Sequence, residues 1–306
     1  MTSRYHLQTG VDMTHASLGL IGLGVMGEPM CRNLARKSGA SVIAFDLRPE
    51  PLARLAADGV KAATSARQIM DQAAVIMLSL PSGSEVEAIC AGADGLLARS
   101  RSGQTVIDLG TSPVRLMRAL AAQFGNRGVD FADAPVARTR AAAEAGTLSV
   151  MVGASEQVFR RIAPLLKTFA TEITHCGNIG AGQLTKILNN MVLFETGVAL
   201  AEALALARRG GLDPALLLGT LAKGSADSFA LRNHGIKAML PGVFPERAFS
   251  AQYALKDITY ALECAAEAGL ELAGAELARA RLERAIARGF GEQYWPVIAR
   301  VIEAAK

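Results

Sequence analysis

Two polar side chains interrupt an apolar stretch of the chain. In "HCGNIGAGQLTKILNN", residues 175–190, Lys186 and Asn190 lie four residues apart and follow Gly177, Gly180 and Gly182. On a helix this spacing sets both side chains on one face, with β-carbons about 5–6 Å apart. The glycines ahead of them let a small molecule approach the backbone. A lysine so placed can protonate a carbonyl oxygen as an ammonium, or take a proton from an alcohol as a neutral amine. The second task needs burial or a cationic neighbour, because an unperturbed lysine near ~10.4 is protonated at neutral pH. The amide would orient the same oxygen. The alternative is a lysine snorkelling from an apolar helix beside a solvated asparagine.

A second glycine pattern carries different chemistry. "GLIGLGVMG" holds Gly22, Leu23, Gly24, Val25, Met26 and Gly27, directly after an apolar strand and before a helix. In that context the three glycines serve a tight turn, close phosphate approach and helix–strand packing, and the helix start attracts a pyrophosphate. Asp46 closes the next strand, where a carboxylate accepts from a ribose 2′-hydroxyl and repels a 2′-phosphate. That indicates NAD. Arg48 keeps NADP open, since a guanidinium pairs with a 2′-phosphate, although it also suits a solvated turn before Pro49.

Other candidates are fewer. Arg138 and Thr139 would clamp an anion, the planar guanidinium meeting a carboxylate or sulfonate in bidentate fashion; the alternative is an exposed turn shared with Arg140. His175 and His234 stand outside any recognisable donor pair. Cys31, Cys90, Cys176 and Cys264 are far apart, with no CxxC pair and no metal-ligand spacing, which implies a reduced, intracellular protein and no metal. Cys176 reads as a small filler.

These groups need elements to position them. "LGLIG", "SVIAFD", "AVIMLSL", "TVIDLG" and "GVDFADAP" read as buried strands, separated by helical segments such as Val25–Lys37, Pro51–Ala57 and Pro113–Phe124. "TLSVMVG" and "TEITHC" add strands around a helix Glu156–Phe169. The alternation predicts an α/β fold of the Rossmann type, a doubly wound parallel sheet over residues 18–180. Residues 183–209 predict a long helix, apolar nearly all round and therefore buried, that leads into an all-α C-terminal domain over 181–306. Arg208 and Arg209 suit its end, Gly210 a left-handed cap, and Asp213-Pro214 the next helix start. Residues 1–17 read as a floppy extension without a signal pattern; His6 and His15 lie there, and Met13 is a possible alternative start.

Composition sets the bounds. The 306 residues are 51% apolar and 20% charged, enough for two folded domains. A net charge of +4 with no basic run speaks against nucleic acid, and no apolar run reaches the ~18 residues of a membrane span.

Four ordered motifs give the chain a family likeness. "GLGVMGEPM", "DAPVARTRAAAEAGTLSVMVG", "GNIGAGQLTKILNN" and "YALKDITYAL" resemble the cofactor loop, substrate segment, catalytic pattern and second lysine motif of the β-hydroxyacid dehydrogenases. That group includes 3-hydroxyisobutyrate dehydrogenase and tartronate semialdehyde reductase. The resemblance implies that Lys186 is catalytic with Asn190 as partner, and that Lys256 lies near the nicotinamide with Asp257 in support. It places Thr111 near the nicotinamide ribose, with Gly110 where the motif has serine, and Leu80, Pro81 and Ser82 along the cofactor groove. It also implies a homodimer or homotetramer joined through the long helix. One motif departs: where most members read D-A-P-V-S-G-G, this chain has Ala137-Arg138-Thr139, resembling the P-V-G-R-T motif of sulfolactaldehyde reductases.

The expectation is a cytoplasmic enzyme moving hydride between NAD(H) and a small 3-hydroxy acid or its semialdehyde. Sulfolactaldehyde, succinic semialdehyde and tartronate semialdehyde are the alternative substrates. An imine reductase usually lacks the lysine, a 6-phosphogluconate dehydrogenase needs a larger helical domain, and a non-catalytic NAD-binding module would not need Lys186 and Asn190.

Overall fold

Leu18 to Ile21 are all buried, although successive strand residues point to opposite faces. Such a strand needs cover on both sides. The computed structural model describes residues 17–92, 95–246 and 248–304, so His6, Met13 and His15 lie outside the described residues. The chain divides into two units, Met1–Lys186 and Ile187–Lys306.

The described part of the first unit contains β1 (Leu18–Ile21), β2 (Val42–Phe45), β3 (Lys61–Ala62), β4 (Val75–Leu78), β5 (Thr105–Asp108), β6 (Asp130–Asp133), β7 (Val136–Ala137), β8 (Leu148–Gly153) and β9 (Ala170–Gly177). Their order is β3-β2-β1-β4-β5-β6-β8-β7, with β9 also on β8. The run from β3 to β6 is parallel, in the dinucleotide-binding order. β8 then reverses against β6 and β7, and β9 runs parallel to it.

Strand alternation builds two cores. Leu18, Leu20, Val75 and Met77 face Met30 and Leu34 of helix Gly27–Lys37 and Ile162 of helix Glu156–Leu166. Ile21, Ile76 and Leu78 face the other way, toward Ile69, Val86 and Met117 of helices Ala66–Gln72, Gly83–Ala91 and Val114–Gly125. Each such side chain contributes about 1.5–3 kcal/mol on leaving water. The expected helices appear with ends shifted by a few residues.

The second unit is helical, with Pro214–Leu221, a π-helix Leu231–Met239, Ala251–Glu267, Ala273–Ala287 and Ile298–Glu303. The long helix, Ala181–Arg209, begins in the first unit and continues into the second. Two expectations about it are corrected. It is not buried all round: Leu184, Leu188 and Val192, spaced by four, are 37%, 40% and 57% exposed, while Ile187, Asn190 and Phe194 are buried. One face of a helix repeats every three to four residues, and the rest of the chain covers the face of Ile187, Asn190 and Phe194 while leaving that of Leu184, Leu188 and Val192 open. The left-handed cap is Gly211, at φ 75°, and not Gly210, because the Leu212 N–H closes back onto the Ala207 carbonyl. The helix also contains a window of mean hydropathy 1.4, long and apolar enough by composition to cross a membrane, although its buried face carries the polar Gln183 and Asn190.

Candidate active site

β1 hands over to the glycine loop at Gly22, whose φ is 93°. A β-carbon there would collide with the Ser79 carbonyl after β4, and one on Gly27 with the Gly22 carbonyl. These two glycines serve the protein's own packing. Gly24 differs: a β-carbon on it would have no atom within 4 Å. The space over its main chain, just before helix Gly27–Lys37, leaves room for a pyrophosphate at a helix start. Leu23 is buried, Val25 is exposed and Met26 sits just before the helix without a side-chain cap.

Asp46 ties this loop to the strand end beside it. Its Oδ2 accepts from the Leu23 N–H at 2.6 Å, and its Oδ1 from the Arg48 N–H at 2.9 Å and Nε at 3.1 Å. Burial pushes the carboxyl up, but the Arg48 and Leu23 hydrogen bonds outweigh it and hold Asp46 below the usual carboxylate range. The charge stays in place where a ribose would sit. Arg48 spans the loop to the Leu23 carbonyl at 3.4 Å, while its side chain remains 61% exposed. The residues present fit a dinucleotide.

The other residues expected to line a cofactor follow β4 and β5. Leu80 and Thr111 are half-buried and Pro81 is exposed. Ser82 caps helix Gly83–Ala91 and donates to Glu85. Behind Thr111 lies a buried polar cluster at the ends of β5 and β6. Asp108 accepts from the Ser112 hydroxyl at 2.8 Å and from Gln183 Nε2 at 3.1 Å. Asp133 accepts from the Gly180 and Gln183 N–H groups, each at 2.7 Å. Burial pushes the Asp133 carboxyl up to about 6, against the pull of those N–H groups.

Lys186 is half-buried on the long helix, three residues beyond Gln183. Asn190 is not a solvated residue: it is 1% exposed, and its Nδ2 donates to Asp257 Oδ2 at 2.6 Å. The other Asp257 oxygen pairs with Lys256 Nζ at 2.8 Å. Lys256 also lies 5.0 Å from the Tyr260 ring centre and 5.9 Å from that of Tyr253. Asp257 therefore joins two residues that the sequence singles out separately.

The substrate segment is arranged unexpectedly. Ala137 is half-buried, and Thr139 caps helix Arg140–Ala145 through the Ala142 N–H at 3.4 Å. Arg138, between them, has φ 85°, a left-handed backbone that costs an L-residue about 1–2 kcal/mol. Its Nη1 donates to the Thr147 carbonyl at 2.5 Å and to the Thr171 hydroxyl at 3.2 Å. The Nε–Nη2 edge makes neither bond. His175 is engaged with the Ala154 carbonyl and stacked on Phe159, and His234 with the Tyr294 hydroxyl, so both serve packing.

Residues 17–177 match the sequence model of the NAD binding domain of 6-phosphogluconate dehydrogenase. Residues 180–301 match that described as NAD-binding of NADP-dependent 3-hydroxyisobutyrate dehydrogenase. A 2-(hydroxymethyl)glutarate dehydrogenase of Eubacterium barkeri is 35% identical over 286 residues, 94% of each chain. The chain belongs to the β-hydroxyacid dehydrogenase family. A 3-hydroxyisobutyrate dehydrogenase of Pseudomonas aeruginosa is 39% identical over 237 residues, 78% of each chain. The structure of Mycobacterium tuberculosis 3-hydroxyisobutyrate dehydrogenase with L-serine matches with a TM-score of 0.86 at 30% identity, over 95% of this chain and 100% of that one. Family membership makes the chain an oxidoreductase of hydroxy acids that uses NAD, with NADP also possible.

Sequence reasoning left Asp108, Asp133 and Gln183 without a role. The signal available was an acid in the last position of each of two neighbouring strands, "TVID" and "DFAD".

Proposed function

We propose that the chain interconverts a small 3-hydroxy acid and its semialdehyde, with Lys186 as the acid–base group. When bound, the nicotinamide supplies or receives the hydride. Lys186 would donate a proton to the carbonyl oxygen in reduction and take it from the hydroxyl in oxidation. Asn190 would orient that oxygen: an amide nitrogen has two N–H groups, and the bond to Asp257 uses one. The observation that carries this reading is the burial of Asn190, one helical turn from Lys186, in a chain of contacts through Asp257 to Lys256.

Ala137, Arg138 and Thr139 would receive the substrate's acid group, with the Nε–Nη2 edge of Arg138 as the bidentate donor. Gly22, Leu23, Gly24, Val25, Met26 and Gly27 would hold the pyrophosphate, Asp46 the adenosine ribose, and Leu80, Pro81, Thr111 and Lys256 the groove toward the nicotinamide. The exposed strip of Leu184, Leu188 and Val192 supports a homodimer or homotetramer.

NADH absorbance would be followed with 3-hydroxyisobutyrate, L-serine, 2-(hydroxymethyl)glutarate and a sulfonate aldehyde, each with NAD and NADP cofactors. Lys186→Ala should bind NADH normally and lose nearly all turnover. A variant with near-normal kcat would remove Lys186 from the chemistry.

A further inference from the structure

We infer that Asp133 is a positioning residue for Lys186, acting through the first turn of the long helix. This rests on the acid–base reading of Lys186. A helix leaves its first N–H groups without partners inside the helix, and a capping side chain usually answers one of them. Here Gly180 precedes the helix Ala181–Arg209 and has no side chain to offer. Asp133, far away in sequence at the end of β6, accepts from both the Gly180 and the Gln183 N–H groups. The cap is built into the sheet.

The same turn is held at two more points. Gln183 Nε2 donates to Asp108 Oδ2 and to the Gly110 carbonyl at 2.8 Å, while its Oε1 accepts from the Ser112 N–H at 3.0 Å. Gly182 has no room for a β-carbon, which would lie 2.7 Å from the Gly153 nitrogen and 2.8 Å from the Asp133 carbonyl oxygen. Gly180, Gly182 and Gln183 are therefore pinned to the ends of β5, β6 and β8. Lys186 follows Gln183 by three residues, about 4.5 Å along the axis and on the same side. A lever this short transmits any slip of the turn directly to the amine. Asp108 and Asp133 are both 0% exposed, and burying two neighbouring carboxylates is costly for the fold. Fixing the placement of Lys186 gives that cost a purpose.

Asp133→Asn keeps the shape but sets an amide N–H₂ against one of the two backbone donors. The expected outcome is an NADH Kd within about twofold of wild type, a hydroxy-acid KM within a few-fold, and a kcat lower by about 30- to 100-fold, the cost of a reacting group displaced by about 1 Å. If Asp133→Asn does not fold, Asp133→Ser is read in the same way: its single hydroxyl oxygen can answer only one of the Gly180 and Gln183 N–H groups. A folded variant with kcat within threefold of wild type overturns the inference. So does a parallel collapse of NADH affinity, KM and kcat, or failure of both variants to fold, since each marks a general structural role. Lys186→Ala is measured alongside. Its inactivity with a fully active Asp133→Asn removes the positioning role alone, whereas its activity removes the acid–base reading beneath it.

Discussion

Asn190 and Asp257 meet at 2.6 Å, both buried, one on the long helix and the other on helix Ala251–Glu267. Through its second oxygen Asp257 also holds Lys256. One carboxylate thus orients an amide and balances an ammonium. Asp257→Asn should lower kcat/KM more than tenfold and stability by about 1–3 kcal/mol, because a charged hydrogen bond and an ion pair are weakened together. Steady-state kinetics and urea unfolding check both; full activity would sever Asp257 from the site.

The glycines of the cofactor loop should separate by substitution. Gly24→Ala is expected to leave the melting temperature of the cofactor-free protein unchanged, since its β-carbon enters open space, while NADH affinity falls at least about tenfold. Gly22→Ala and Gly27→Ala should destabilise by about 3 kcal/mol, from overpacking and, at Gly22, the left-handed backbone. Thermal melts and NADH fluorescence titration distinguish the two classes. A destabilised Gly24→Ala would contradict the open space at that position.

Arg138 offers a comparison of two replacements. Arg138→Ser and Arg138→Gly both remove the guanidinium, so both should raise the hydroxy-acid KM by about tenfold or more and leave the NAD KM unchanged. The glycine variant should be the more stable by about 1 kcal/mol, because φ 85° suits it. An unchanged substrate KM in both would leave Arg138 as a pin for Thr147 and Thr171 only.

Stability should follow pH through His234. Burial pushes the ring down to about 4 from its ordinary 6.5, so the folded protein keeps it neutral. The unfolded chain then binds the extra proton first, and stability falls as pH drops from about 7 toward 4, by about 3 kcal/mol in all. His234→Gln should remove that slope in denaturant titrations at several pH values. Asp133 acts in the opposite sense: its raised carboxyl favours the fold at low pH, and that contribution is lost as pH rises from about 4 through 6.

The strands of the sheet were legible because each is a short apolar run needing cover on both faces, as in "LGLI" and "VIML". The two-residue β3, Lys61–Ala62, carries no such pattern: both residues are exposed, and the strand exists through its pairing with β2. Helix Ala66–Gln72 did leave a local mark, the Ser65 hydroxyl capping the Gln68 N–H, which the sequence reading left unused. The glycine loop was readable because its chemistry is local. The role of Asp133 was not, nor was the bond between Asp257 and Asn190, since in each case the acid meets a partner distant in sequence and no spacing announces the pairing.

The backbone at Arg138 has a genetic consequence. Every arginine codon lies one base from a glycine codon, and glycine relieves the strain at this position. A change to glycine is therefore always one mutation away, and it relieves the left-handed backbone. On the proposed clamp role of Arg138, a population grown without need of the substrate should accumulate glycine at 138 among its earliest variants.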